Sequence, residues 1–515
     1  MNLPLIFRTV AHLKPVQIAC QIKKRVLKPR YKQLACEGET GGCRFAPFVP
    51  KPTCHTDGKF RFLNLDSAFT SWNDTSHGNL WAYNLNYMDW LMQEGMSEEE
   101  GCRWIDKFSD NLTHNKIVIG LDPYATALRC INWIKFLTVH DIPASRRKRW
   151  DNSLYSQVRL LEKKLEFHLL GNHLLEDAYA LFISSIYFSD KRMHAKASRL
   201  LLKELRTQTL PDGAHYEQSP MYHCILLDRL LDCYNFSSLN EIFPGQAAVT
   251  DKLRHYCRLM LGHLESIVWN DDTFPLFNDA ALGIAPTPAS LRAYARRLGI
   301  EWTAIPLGEC GYRKLECGKM ELFVDAGNIT ATEQPGHTHA DTLTYDFRIN
   351  GKPVVADTGI STYDKTPRRL YERGTMAHNT VSVGGRNSSE VWSGFRVGCR
   401  AKVRISTDTP HCVEAAHDGF RTPCRRAFRL DGERLVVADE IDTEAVSRIH
   451  LWHEEKVESA TDSEILTTHA RIRIENALRI EIEDAKISTE YNTFLPTKVI
   501  NIHFKGKTRY TISIR

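Results

Sequence analysis

Gly336-His337-Thr338-His339-Ala340-Asp341 and Ala377-His378-Asn379-Thr380 flank an isolated aspartate in Val355-Ala356-Asp357-Thr358-Gly359. Imidazole and carboxylate are the donor set of a borderline divalent ion such as zinc. A strand puts residues i and i+2 on one face, so the spacing predicts His337, His339 and Asp341 on the same side. The alternation in Leu343-Thr344-Tyr345-Asp346-Phe347-Arg348-Ile349 predicts the neighbouring strand that would let such segments converge. The competing reading is a set of surface or core histidines, because ligand spacing across a sheet is much looser than in a Cys-x-x-Cys pair.

A second constellation lies upstream. Leu169-Leu170-Gly171-Asn172-His173-Leu174-Leu175-Glu176-Asp177 reads as helix, where His173 and Glu176 at i, i+3 share a face and Glu176 can orient the imidazole. Asn172 adds a neutral amide donor. A histidine in an apolar helix is more often a satisfied core residue than a catalyst. The segment from Leu210 to His223 follows, dense in Tyr, His and Glu, and Tyr216 or Tyr222 could act as a phenolic acid or base.

Two kinds of element must position these residues. From about 75 to 305, apolar residues recur at helical spacing in 86–92, 125–134, 155–175, 195–207 and 225–233. Short breaks such as Leu210-Pro211-Asp212-Gly213 and Phe243-Pro244-Gly245 imply antiparallel helical neighbours. Near Lys319 the pattern changes to β-branched alternation with Asn350-Gly351, Gly384-Gly385 and Asp431-Gly432 turns, which predicts an antiparallel sandwich. The histidine cluster opens this β half, where a site between two domains would be built. We divide the chain into a basic lead-in (1–60), a helical domain (61–315) and a β domain (316–515). Within the lead-in, Lys14 to Lys32 is basic and amphipathic and Gly38-Glu39-Thr40-Gly41-Gly42 is a glycine-rich loop. The basic stretch could dock on a membrane surface or an acidic partner, against the plainer reading of a solvated helix packed on the body.

Composition narrows the class. The 515 residues, 43% hydrophobic and 25% charged, suit an ordered multidomain globular protein. A net charge of +5 and a pI near 8.4 permit an anionic substrate without calling for nucleic acid. The aromatic residues offer stacking surface for sugar rings, although most will be core. Met1 to Val10 lacks a basic start with a long apolar run, and no run of about 20 apolar residues predicts a transmembrane helix. The 14 cysteines form no Cys-x-x-Cys pair, which removes zinc-finger and thioredoxin readings. Unpaired thiols suit a reducing compartment, so the sequence reads as cytoplasmic, with the periplasm as the alternative.

Taken together these segments resemble the heparinase II/III-like polysaccharide lyases, a glycosaminoglycan-degrading bacterial family. The resemblance runs through 80–90, Asp122-Pro123-Tyr124 with Arg129 and Asn132-Trp133, Gly171-Asn172-His173 and Leu210-Pro211-Asp212-Gly213. It continues from Ser219 to His223, then through Gly336–Asp341, Asp357-Thr358-Gly359 and Ala377–Val381. It implies an α+β multidomain fold, an incomplete α/α toroid followed by an antiparallel β-sandwich with the cleft between them. It implies that Asn172 or His173 neutralises a uronate carboxylate, that Tyr222 is the catalytic tyrosine and His337 the catalytic histidine. It also implies that His339, Asp357 and His378 hold one structural divalent ion, zinc or alternatively manganese. Arg129, Glu176, Tyr216 and Trp392 complete the expected substrate-binding set. Arg129 would pair with a carboxylate or sulfate, and the Arg386–Trp392 loop would border the cleft.

The implied reaction is β-elimination on a uronic-acid polysaccharide such as hyaluronan, chondroitin sulfate or heparan sulfate. Asn172 and His173 would hydrogen-bond the carboxylate and stabilise the enediolate. Tyr222 as tyrosinate, or a histidine with Tyr222 as acid, would serve the two C5 epimers. Placing His337 and His173 on opposite sides of Tyr222 would permit both. Other readings are an alginate or other polyuronate lyase, a metal-dependent hydrolase using a zinc-bound hydroxide, and a non-catalytic glycan-binding protein.

Overall fold

The computed structural model describes residues 3–37, 40, 42–114 and 116–515; Gly38, Glu39 and Gly41 of the glycine-rich loop lie outside them. Two short helices lead in, α1 (Leu3–Val10) and α2 (Pro15–Val26), followed by a small antiparallel sheet of His55–Thr56, Lys59–Phe62 and Leu65–Ala68. The helical body comprises α3 (Asn79–Tyr87), α4 (Glu98–Thr113), α5 (Pro123–Val139), α6 (Ala144–Lys164), α7 (Gly171–Tyr187), α8 (Lys191–Gln208), α9 (Pro220–Leu239), α10 (Gln246–Ile267) and α11 (Pro288–Arg297). Local chemistry starts these helices. Ser97, Asp190, Ser219 and Thr287 each accept a backbone N–H of the first turn, and proline opens α5, α9 and α11. α7 packs against α5, α8 and α9 and is the innermost element, with every residue but His173 buried.

The sequence predicts one helix through 155–175, but α6 ends at Lys164 and α7 starts only at Gly171. Leu170 (φ 63) and Gly171 (φ 59) are both left-handed, which breaks the helical path and makes Asn172 and His173 a helix N-terminus.

The β half begins with a four-stranded antiparallel sheet ordered Tyr312–Cys317, Met320–Asp325, Tyr345–Ile349, Lys352–Val355. It faces a ten-stranded antiparallel sheet whose path runs Val403–Thr409, Cys412–His417, Cys424–Asp431, Arg434–His450, Leu495–Ile514, Ala470–Glu475, Glu464–Thr467, Val457–Ala460. Val381–Ser382 and Arg479–Ile487 add to the two long central strands, which bend where a bulge opposes Ile441 and Glu444 to Gly506 and Lys505. Met320–Asp325 is buried at every position because both faces of this sheet are covered. Leu322 and Val324 join the inter-sheet core, while Phe323 turns to the helical core, its ring 4.5 Å from Trp269. The helical first half and antiparallel β second half match the predicted fold class. No helix among the described residues is long and apolar enough to cross a membrane.

The loops carrying the histidines are not strands. His337, His339 and Asp341 lie in an irregular stretch before Tyr345–Ile349, so a shared strand face does not bring them together. A buried carboxylate from the helical half joins His337 and His339 instead.

Candidate active site

Asp279, fully buried between the last two long helical segments and the β half, accepts His337 Nδ1–H at Oδ2 (2.8 Å) and bonds His339 Nε2 at Oδ1 (2.8 Å). The Arg369 guanidinium, from the short helix α12 (Pro367–Glu372), forks onto both of its oxygens. Burial would raise the Asp279 carboxyl, but Arg369 and the two imidazoles hold it well below the usual range. With its Nδ1 proton directed at Asp279, His337 keeps the Nε2 lone pair available as a base.

That Nε2 lies 3.3 Å from Asn172 Nδ2 and 3.3 Å from Glu217 Oε2. Glu217 is the anchor of Asn172: its Oε1 accepts the Asn172 backbone N–H and its Oε2 the side-chain amide, both at 2.7 Å. The backbone donor is free because Asn172 is in the first turn of α7. Glycine precedes it for a steric reason too, since a Cβ on Gly171 would stand 2.1 Å from Glu217 Oε1. Leu170, Gln218 and Asn278, each beside one of these polar residues, have positive φ (63°, 59° and 57°). Backbone in this region costs about 1–3 kcal/mol per residue and persists only where surroundings enforce it. Here the enforcement is visible: Gln218 bonds Cys310 O (2.7 Å) and Asn328 O (2.9 Å), while Asn278 bonds Gln218 O (3.1 Å) and accepts His339 N–H (2.8 Å).

Tyr222 enters from the first turn of α9, whose N-cap Ser219 accepts the Tyr222 N–H (3.2 Å) and donates to Asp279 O (2.6 Å). Its ring lies 3.9 Å from the His337 ring, centroid to centroid, tilted by 30°. The Tyr363 hydroxyl is 3.4 Å from the Tyr222 hydroxyl and 3.5 Å from His337 Nδ1. Burial, then the Asp279 and Glu217 carboxylates, push the Tyr222 phenol up, so at neutral pH it carries its proton. An imidazole and a protonated phenol thus stand side by side, beside an amide donor locked by a carboxylate.

His173 is separate from this group. Its Nδ1 bonds Glu166 Oε2 at 2.9 Å and its ring lies 4.8 Å from Tyr124. Burial would lower its pKa, but the Glu166 carboxylate raises it. The predicted orienting role of Glu176 is corrected: helix α7 starts so late that the turn at 165–170 brings Glu166 to the imidazole instead. Glu176 points into the helical core near Arg229, and burial pushes its carboxyl up to about 8.

Three further expected substrate contacts have partners within the protein. Arg129 is fully buried and donates to Gln157 Oε1 (2.7 Å), Asn86 O (3.0 Å) and Gly120 O (2.6 Å), tying α5 to its neighbours. Tyr216 is buried in the turn before α9, its backbone N–H on Gln208 O. Trp392 donates Nε1–H to Thr9 Oγ1 (3.0 Å), and it is Phe395 of the same loop that meets His337, at 6.4 Å between ring centroids. Glu217, Asp279, Tyr363, Arg369 and Glu166 were not singled out from sequence. Only Glu217, inside the Tyr/His/Glu-rich turn, carried a local signal.

For the expected metal ligands, His378 Nδ1 bonds Asp357 Oδ2 at 2.7 Å and the His339 and His378 rings are 5.3 Å apart. His339 Nδ1, His378 Nε2 and Asp341 Oδ2 are buried with no hydrogen-bond partner among the described residues. Two imidazoles and the Asp341 carboxylate, with orphaned buried atoms, suit a divalent ion chemically, whereas the Asp357 oxygens are engaged by His378 Nδ1 and the Gly359 N–H. Among the described residues, the group of three with all donor atoms within 4.8 Å of one another is a different one, Asp212, His263 and Cys310. There the Asp212 carboxylate already accepts the N–H groups of Ala214, Gly308 and Cys310 and staples the Pro211–Gly213 turn.

The family models for the heparinase II/III N-terminus and the heparinase II/III-like C-terminal region match residues 62–296 and 301–515. A heparin-sulfate lyase of Bacteroides stercoris is 23% identical over 330 residues, covering 58% of this chain and 48% of the relative. One of Pedobacter heparinus is 24% identical over 247 residues, covering 42% and 36%. The matches therefore span less than half the length of these relatives. Among solved structures, a heparinase III shares the fold with TM-score 0.64 at 14% identity, over 96% of this chain and 89% of that one. The heparan sulfate lyase of Pedobacter heparinus aligns with TM-score 0.58 at 17% identity, over 89% and 81%. With both family models matched in order across its helical and β halves, the chain belongs to the heparinase II/III-like family.

Proposed function

We propose that this protein is a polysaccharide lyase that cleaves uronate-containing glycosaminoglycans by β-elimination, heparan sulfate first among them. The observation that carries this is the meeting of Asn172, Tyr222 and His337, from both halves of the chain, around one point. Asn172 Nδ2 hydrogen-bonds the uronate carboxylate and offsets the charge that grows on it as C5 is deprotonated. His337 Nε2 takes the C5 proton. The electron pair of that C–H bond forms C4=C5, the C4–O4 bond breaks, and Tyr222 donates its phenolic proton to the departing O4. The raised phenol supports Tyr222 as acid in this direction rather than as a resting tyrosinate. His173, held by Glu166 with its pKa raised, supplies a second positive group for a carboxylate or sulfate. Heparan sulfate is placed first because the matched relatives are heparin-sulfate lyases.

We also propose that His339, Asp357 and His378 hold one divalent ion, zinc in preference to manganese. When bound, the ion would supply a cross-link between the loops under His337 and satisfy the orphaned His339 nitrogen. Asp279 keeps His337 off such an ion by holding its Nδ1.

The test is to incubate the protein separately with heparan sulfate, chondroitin sulfate, hyaluronan and alginate and follow ultraviolet absorbance of an unsaturated uronate. A rise on heparan sulfate supports the reading. A rise on alginate alone moves the substrate class, and no rise on any, with intact folding, defeats it.

A further inference from the structure

The lead-in helices have their apolar residues on the wrong side for a buried element. Among the described residues, eight of the 18 exposed large apolar side chains fall within residues 3–27, which marks a concentrated patch rather than ordinary scatter. In α1, Leu3, Phe7 and Val10 are 68%, 75% and 42% exposed and recur at helical spacing; no residue of α1 is buried. In α2, Ile18, Ile22 and Val26 are 43%, 60% and 74% exposed, again one stripe. The opposite face is the fastened one. Gln17, the buried residue of α2, donates to Leu169 O and Glu333 O (both 3.2 Å), and Lys24 Nζ lies 2.8 Å from His168 Nε2. Arg8 pairs with Glu390 and Lys14 with Glu333. The helices are thus anchored to the body by polar contacts and turn their apolar stripes to solvent.

The charge around these stripes is of one sign. Residues 1–36 contain eight Lys and Arg (Arg8, Lys14, Lys23, Lys24, Arg25, Lys28, Arg30, Lys32) and no Asp or Glu. Lys23, Arg25, Lys28, Arg30 and Lys32 stand in no ion pair among the described residues. At about 100° per residue, Lys23 and Arg25 fall on the two flanks of the Ile18–Ile22–Val26 stripe.

We infer that this helix pair is a peripheral docking surface for an anionic lipid bilayer, lying along it with the apolar stripes in the headgroup boundary and the cations on lipid phosphates. An apolar stripe bordered by cations on a helix too short to span is the pattern of an interfacial helix. A second copy of the chain is the poorer occupant, since it would bring the unpaired cations Lys23, Arg25, Lys28, Arg30 and Lys32 against their own copies. The surface is independent of the reaction proposed above.

The experiment is flotation of the 515-residue chain with vesicles of phosphatidylcholine alone or mixed with phosphatidylglycerol, at two salt concentrations. The protein should float with the mixed vesicles, and less so at high salt. The pair Phe7→Glu with Ile22→Glu should lower partitioning at least about tenfold, as should Lys23→Gln with Arg25→Gln, both with unchanged thermal melting. No flotation, equal recovery on the two vesicle types, or undiminished flotation of both variants would overturn the inference. So would light scattering that shows an oligomer which the Phe7/Ile22 variant dissociates, because the stripes would then belong to a copy of the chain.

Discussion

Replacing Glu217 by Gln changes one oxygen to an amide and leaves the volume of the site unaltered, yet it should remove most of the activity. In the wild type each Glu217 oxygen has its own donor on Asn172, the backbone N–H and the side-chain amide, at 2.7 Å each. Glutamine offers a single acceptor. Whichever donor keeps it, the other faces an N–H2, and the side-chain amide is the one free to rotate. A hydrogen bond to a charged group contributes about 1.5–3 kcal/mol. If that energy holds Asn172 against the carboxylate as the enediolate forms, kcat should fall roughly 10- to 150-fold, at about 1.4 kcal/mol per tenfold. KM should change much less, because the amide acts most on the charge that develops in the transition state. Gly171→Ala is the independent arm, since its Cβ would press on Glu217 Oε1 and should reproduce the kcat loss. Initial rates over a range of heparan sulfate concentrations read both parameters. A Glu217→Gln enzyme with wild-type kcat would refute the anchoring role and leave Glu217 a structural carboxylate.

Tyr222→Phe should reduce kcat at least ~100-fold with little change in melting temperature, because it removes the proton donor but keeps the ring against His337; more than a tenth of the rate remaining would exclude Tyr222 as the acid. Glu166→Gln should shift the alkaline limb of kcat/KM to lower pH. The sign follows from the pair: the raised His173 gives stability that is present below its ordinary pKa and lost as pH rises through the raised one, and the lowered Glu166 gives stability lost as pH falls through its own. A histidine NMR titration that moves while the rate profile does not would separate His173 from the reaction. Chelation should lower melting temperature and activity together if His339, Asp357 and His378 hold an ion, and a site filled at 100 times its dissociation constant adds ~2.7 kcal/mol; elemental analysis without stoichiometric metal, and melting indifferent to chelator, would count against it.

What could be read from the sequence was whatever depends on local pattern. Helical spacing in α5, α8 and α9 and alternation in Met320–Asp325 and Tyr345–Ile349 predicted the elements that form. Residue type offered Asn172 and either Tyr216 or Tyr222, and spacing placed His337 among metal ligands; it was the family resemblance that implied Asn172, Tyr222 and His337 together, and the structure brings these three to one place. The partners were hidden because they act across the fold. Asp279 sits in an irregular segment with no motif, yet it bonds two histidines about 60 residues downstream and an arginine further on. Glu176 looked like the orienting group because i, i+3 spacing is all that a sequence shows, whereas Glu166 reaches His173 around a turn set by two left-handed residues. Arg129 illustrates the converse error: a guanidinium suited to an anion instead meets three backbone and side-chain oxygens inside the helical core.

The central claim, elimination by Tyr222 and His337, is tested most directly by digesting heparan sulfate in heavy-oxygen water and weighing the products by mass spectrometry. Elimination predicts products that together contain no added water and no heavy oxygen, each new non-reducing end carrying a C4=C5 bond. Products that take up one heavy oxygen per bond cleaved, with no unsaturated end, would mean hydrolysis and contradict the account.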